Sequence, residues 1–239
     1  MKTITLFALI SLLALHPGSA QGTADFFSRA DAFFSAYIKD GRVDYAALKA
    51  DPTQLDELLA LSKTLAIAKE DAPTYQAFWI NGYNLLVIKG IIDHYPVKSP
   101  LDIKGFFDTT KRDFGGKQIT LNDIENQLLR GNFPGEARFH FVLVCAGIGC
   151  PPIIGAAYLP STLGSQLQRQ TELALNNPNF IKVKGKKVLI SQIFEWYKED
   201  FTQGGQNEVD FINGFRKEKI SAGAKVSYYP YDWALNEIQ

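Results

Sequence analysis

Apolar residues recur at helical spacing early in the chain, where Phe26, Phe27, Ala30, Phe33, Phe34 and Tyr37 share one face of an amphipathic helix over residues 26–38. Asp40-Gly41 stops it. Leu55, Leu58, Leu59 and Leu61 mark a second helix over residues 55–61. The densest apolar stretch follows at residues 77–92 (AFWINGYNLLVIKGII). It is apolar on nearly every side, which predicts a helix buried at the centre of the domain. Asn81, Asn84 and Lys89 interrupt it and make its composition wrong for a membrane span. His94-Tyr95-Pro96 ends it, because the residue before a proline is driven out of the helical region.

Downstream the pattern alternates between sheet and helix. Residues 112–119, with Gly115-Gly116 at the middle, predict a hairpin. Thr120 and Asp123 form a capping-box variant ahead of a helix with an inward stripe of Leu121, Ile124 and Leu128. Residues 139–145 (FHFVLVC) are short, continuously apolar and bounded by turn residues, which predicts a buried strand. The loop AGIGCPPIIGAAYLP comes next, then a helix over residues 161–175 and a hairpin over residues 181–190 about Gly185. Ser191 caps a helix carrying Ile193, Phe194, Trp196 and Tyr197; a helix over residues 209–215 and a strand over residues 226–229 complete the series. The fold class expected is α+β, a single domain with helices packed around a mostly antiparallel sheet with hairpins and one central buried helix.

Composition adds two exclusions and a compartment. With 46% hydrophobic and 21% charged residues, the 239-residue chain is globular rather than disordered. Its 25 basic and 25 acidic side chains cancel, so there is no cationic surplus to displace counterions, and nucleic acid is excluded as a partner. Lys2, the apolar run at residues 3–15 and the small residues Gly18, Ser19 and Ala20 read as a cleaved signal peptide over residues 1–20. The run is shorter than the roughly 18 residues that a spanning helix needs. Residues 21–239 are then expected as one secreted or periplasmic domain, with no membrane span after cleavage, in a compartment that permits disulfides.

Loss of His16 with the leader leaves His94, His140, Cys145 and Cys150 as the imidazole and thiol candidates. A thiol at the end of a buried strand, entering a Gly-rich turn, is placed to act as a nucleophile beside backbone N–H groups that hold an oxyanion. Cys145 or Cys150 fits that description, with a histidine as base. On a strand, His140 and Cys145 face opposite sides and lie roughly 16 Å apart, so a direct dyad is not expected. Cys145 with His94, and Cys150 with His140, stay open. The structural alternatives are a buried Cys145 acting as a small hydrophobe, a Cys145–Cys150 small-loop disulfide, or a redox pair. A zinc site from the same four residues has the spacing His-x4-Cys-x4-Cys, which matches no usual pattern, so neither metal nor cofactor is expected. Glu125 shares a face with Leu121 and Leu128; it is either a partly desolvated carboxylate or a rim residue paired with Arg130 or Arg138. Asn84, inside an apolar helix, must find hydrogen-bond partners, either in a loop backbone or in a catalytic group that it orients.

Four pieces occur in a recognisable order: FWINGYNLLVIKGIIDHYP (residues 78–96), ITLNDIENQLLR (119–130), RFHFVLVCAGIGCPP (138–152) with Tyr158 downstream, and YDWALN (231–236). On these the chain resembles the domain of unknown function 547 family, from about Val43-Asp44-Tyr45 to Asn236. The resemblance implies a secreted or periplasmic bacterial protein, carries no established reaction, and places recurrent residues at Asn84, Glu125, His140 and Cys145. Many members carry a histidine directly after the Ile-Glu pair, where this chain has Asn126. A base of that kind would here fall to His140 or His94.

The expectation is a pocket with Cys145, His140, Glu125 and Asn84 as its catalytic set, in an uncharacterised cysteine-dependent hydrolase or acyl transferase acting on a small-molecule or peptide ligand. The alternative is a non-catalytic binding or assembly module with structural or disulfide-bonded cysteines. Its aromatic residues, such as Trp79, Trp196, Tyr231 and Trp233, would then fill the core or line a ligand groove.

Overall fold

The computed structural model of the protein describes residues 17–238. The basic and apolar parts of the expected leader, and His16, lie outside the described residues. No helix among the described residues is long and apolar enough to cross a membrane.

Helix α1 (Pro17–Tyr37) buries Phe26, Phe27, Ala30, Phe33 and Phe34 along the predicted stripe. It runs into β1 (Ile38–Lys39), which turns through Asp40 and Gly41 into antiparallel β2 (Arg42–Val43). Both turn residues have positive φ, at 51° and 76°, the backbone that a tight two-residue hairpin demands. Helices α2 (Tyr45–Ala50) and α3 (Thr53–Ser62) lead to α4 (Ala72–His94), in which 16 of 23 residues are buried. That is the expected central helix, and it ends where Tyr95 turns extended before Pro96. Strands β3 (Arg112–Phe114) and β4 (Lys117–Ile119) form the predicted hairpin. It folds Phe114 onto α4 at Gly82, where a Cβ would stand 2.4 Å from the ring.

The Thr120–Asp123 capping box opens α5 (Leu121–Asp123), which continues as a π-helix over Ile124–Arg130. This widening moves the buried stripe. Residues five apart come into line in a π turn, so Leu129 is buried with Leu121 and Ile124, while the expected Leu128 is only half-buried.

The expected strand at residues 139–145 is absent. Ala137–Phe141 form a 3₁₀ turn, with the Glu136 carboxylate accepting from the Arg138 N–H, and the chain then runs irregularly to residue 162. Phe139, Phe141, Val142, Leu143 and Val144 are all buried, so the apolar run reports burial on every side. What replaces a strand partner is the side-chain amide of Asn84 in α4. Its Nδ2 donates to the Val142 carbonyl at 3.0 Å, and its Oδ1 accepts from the Val144 N–H at 2.9 Å. One turn earlier Asn81 does the same for Tyr158, at 2.8 and 2.9 Å. Buried backbone groups must be paired, and these two amides meet that requirement for the core-crossing loop.

The remaining elements are α6 (Leu163–Asn176), β5 (Ile181–Lys184), β6 (Lys187–Ser191), α7 (Ile193–Trp196), α8 (Lys198–Phe201), α9 (Glu208–Phe215) and β7 (Lys225–Tyr229). Strand β5 pairs antiparallel with β6, and β7 returns through the three helices to pair parallel with β6. The fold is α+β, with small sheets around a helical core. Residues 231–238 finally lie across the loop: the Ile148 and Gly149 N–H groups donate to the Ala234 and Asp232 carbonyls, and the Asn236 N–H donates to the Ala146 carbonyl.

Replacing Asn84 by Ala strands the Val142 carbonyl and the Val144 N–H in the core. The expected loss is about 2–4 kcal/mol of unfolding free energy, read from urea denaturation, with the Asn81→Ala protein behaving alike. A loss below about 1 kcal/mol for both would show that the loop holds itself.

Candidate functional site

A cavity of about 250 Å³ lies where the loop, the π-helix and the carboxy-terminal segment meet. Glu125 reaches it from the π-helix, His140 from the 3₁₀ turn, and Cys145 and Cys150 from the loop. Aromatic walls are supplied by Tyr83, Phe107, Trp196, Tyr197, Tyr231 and Trp233. Three of the four expected site residues therefore converge. Asn84 does not line the cavity; it holds the backbone that carries Cys145. Without a strand, the expected separation of His140 and Cys145 onto opposite faces does not hold: both line the same cavity, with no hydrogen bond between them. His94 stays apart, its Nδ1 donating to the Gly90 carbonyl of its own helix, so the expected His94–Cys145 pairing is not formed. Among the described residues no three His, Cys, Asp or Glu side chains are grouped to hold a metal ion.

The two cysteines are free thiols in contact, with Sγ atoms 2.6 Å apart. Cys145 is half-buried and Cys150 buried. The Tyr231 hydroxyl lies 2.9 Å from the first sulfur and 2.7 Å from the second, and the Cys145 N–H donates to the Cys150 sulfur at 3.0 Å. Burial, reinforced by the Cys150 sulfur, pushes the Cys145 thiol well up. Burial also raises Cys150, but the bonds it accepts from Cys145, Tyr231 and the backbone outweigh that and pull it down. Of the two, Cys150 is thus the more readily ionised. The turn does not offer the row of free amides that the sequence suggests. The Cys145, Ile148, Gly149 and Cys150 N–H groups all have protein acceptors, and the Gly147 N–H serves the sulfurs.

His140 is oriented by a carboxylate that sequence reasoning missed. Its Nε2 lies 2.6 Å from Asp200 Oδ2, and because a carboxylate only accepts, Nε2 carries a proton. Arg130 donates to the same oxygen at 2.6 Å, and its guanidinium lies 4.8 Å from the Tyr197 ring. Tyr197 stacks on His140 with ring centroids 4.2 Å apart and hydrogen-bonds Glu125. Burial and then the Glu125 charge push the Tyr197 hydroxyl far up, so it stays a donor. Burial also raises Asp200, but the bonds from His140 and Arg130 outweigh it and hold the carboxyl at about 2. The expected pairing of Glu125 with Arg130 or Arg138 is not formed, since these ion-pair with Asp200 and Glu136. Asn126 bonds Asn122 and Arg130, outside the cavity wall.

Residues 68–173 match the family model described as Protein of unknown function, DUF547. The chain resembles the DUF547 family. No curated protein and no solved structure matches it. The match is narrower than the span of the four sequence pieces and ends before YDWALN. Within the DUF547 match fall Asn84, Glu125, His140, Cys145 and Cys150; Trp196, Tyr197, Asp200, Tyr231 and Trp233 lie beyond it. Glu125, His140 and the two cysteines thus come from the family-like segment, and Asp200 and most of the wall from the carboxy-terminal part. Of the four aromatic residues singled out in the sequence, Trp79 is core, while Trp196, Tyr231 and Trp233 line the cavity.

The Asp200 carboxylate has a lowered pKa, so its stabilisation is complete above its ordinary 3.8 and is lost as pH falls toward about 2. The Asp200→Asn protein should be less stable at neutral pH by roughly 1–2 kcal/mol and should lose this part of the acid limb. Thermal melts at pH 7, 4 and 2.5 test it; an unchanged acid limb would mean that the His140–Asp200–Arg130 bonds contribute nothing.

Proposed function

We propose that the cavity is the active site of a thiol-dependent hydrolase or acyl transferase, exported from the cytoplasm by the leader at residues 1–20. The observation that carries this reading is a half-buried thiol sharing one cavity with a histidine whose tautomer is fixed by a carboxylate. Cys145 attacks the acyl carbon and passes its proton across the sulfur–sulfur contact to Cys150. Collapse of the tetrahedral adduct expels the leaving group, which takes that proton, and leaves a thioester on Cys145. His140 Nδ1 then removes a proton from water, or from an acceptor nucleophile, as it attacks the thioester; the Cys145 sulfur leaves and is reprotonated. Asp200 holds the imidazole throughout. Asn84 serves as a positioning residue, acting through the backbone of residues 142–144.

The pushed-up Cys145 thiol and the burial of Cys150 favour the rival, a binding module with inert thiols. Activated acyl esters separate the two. Incubation with a series of p-nitrophenyl esters should add one acyl mass to the peptide containing Cys145. The Cys145→Ala protein should fold normally by circular dichroism and acquire no label, with turnover down by about 100-fold or more. Full turnover by Cys145→Ala would eliminate the thiol mechanism.

A further inference from the structure

The cavity's charge is one-sided. Among its lining residues Glu125 is the only carboxylate, and neither lysine nor arginine is present. Arg130 and Arg138 are bound to Asp200 and Glu136, and among the described residues no basic side chain forms an ion pair with Glu125. Around this charge stand π faces. Tyr231 and Trp233 have centroids 4.7 Å apart, Trp196 lies 5.2 Å from Tyr231 and 6.0 Å from Trp233, and Trp196 is 47% exposed at the mouth. An indole with nearly half its surface in water is ordinarily a poor use of so large an apolar side chain, unless something packs on it.

Taken together, a carboxylate outside any ion pair and aromatic faces around one cavity are the chemistry that recognises an organic cation, through Coulomb attraction and the negative face of the ring quadrupole. We propose that the substrate of this cavity carries a positively charged amine or quaternary ammonium group, seated between Glu125 and the Trp196–Tyr231–Trp233 cluster. The inference rests on the reading of the cavity as a substrate site and extends it to the class of substrate. A carboxylate or phosphate ligand would meet repulsion from Glu125. A neutral apolar ligand would bury the rings but leave Glu125 without a cation.

The test is a binding measurement on the Cys145→Ala protein, which separates it from the catalytic reading. Choline, its neutral isostere 3,3-dimethylbutan-1-ol and the anion 3,3-dimethylbutanoate are titrated while tryptophan fluorescence is followed. Choline should quench saturably and bind about tenfold tighter than the alcohol, and the anion should not bind. Glu125→Gln should bring choline down to the affinity of the alcohol. If that variant does not fold, Trp196→Leu, at an exposed position, should weaken choline more than the alcohol. Equal affinities, preference for the anion, no saturable choline binding, or a folded Glu125→Gln protein that keeps the preference would each overturn the proposal. An active Cys145→Ala enzyme would remove the thiol mechanism and leave the cation preference standing.

Discussion

Two asparagine amides in the middle of a buried helix hold the site in place. Helix α4 passes through the centre of the protein, where a polar side chain is costly unless both its donor and its acceptor are met. Asn81 and Asn84 meet that condition by clamping loop backbone, and because they are three residues apart on a helix they face the same way. The loop gains what a neighbouring strand would have supplied, without a strand's alternation. It is therefore free to place His140, Cys145 and Cys150 toward one cavity, which a regular strand would have prevented.

From that anchor the rest of the site follows by layers. Residues 231–238 pair with the loop at residues 146–149, and this brings the Tyr231 hydroxyl to both sulfurs. Gly149 lets the ring approach; a Cβ there would stand 2.9 Å from it. On the other side, Asp200 binds His140 and Arg130 at once, and Arg130 comes from the same π-helix that presents Glu125. The π turn matters here because it shifts side chains about the axis, turning Leu129 inward while Glu125 stays at the cavity. Glu125, His140 and both cysteines belong to the segment matched by the DUF547 family model, while Asp200, Tyr231 and most of the wall come from the part beyond it.

Much of the fold is legible in the sequence because periodicity reports directly on burial. The stripe of α1, the all-round apolarity of α4, the Gly115-Gly116 hairpin and the Thr120–Asp123 capping box all have local causes, and each stands where the pattern puts it. Residues 139–145 mislead because a continuously apolar run says that every side is covered and not what covers it; the partner is an amide some 60 residues upstream. The same limit applies to the site. Glu125, His140 and Cys145 are visible as polar or reactive residues in apolar surroundings. Asp200 is one acid among Lys198, Glu199 and Phe201, and nothing local distinguishes it. Its partner is 60 residues away, and only the packing of α8 brings them together.

The central claim is that Cys145 is the half-buried thiol of the pair and Cys150 the group that receives its proton. Site-resolved alkylation of the native protein by iodoacetamide tests this most directly, since mass spectrometry assigns each label to its cysteine. The account predicts one equivalent on Cys145 and none on Cys150 while the fold is intact. Two unreactive thiols, or labelling of Cys150 ahead of Cys145, would contradict it.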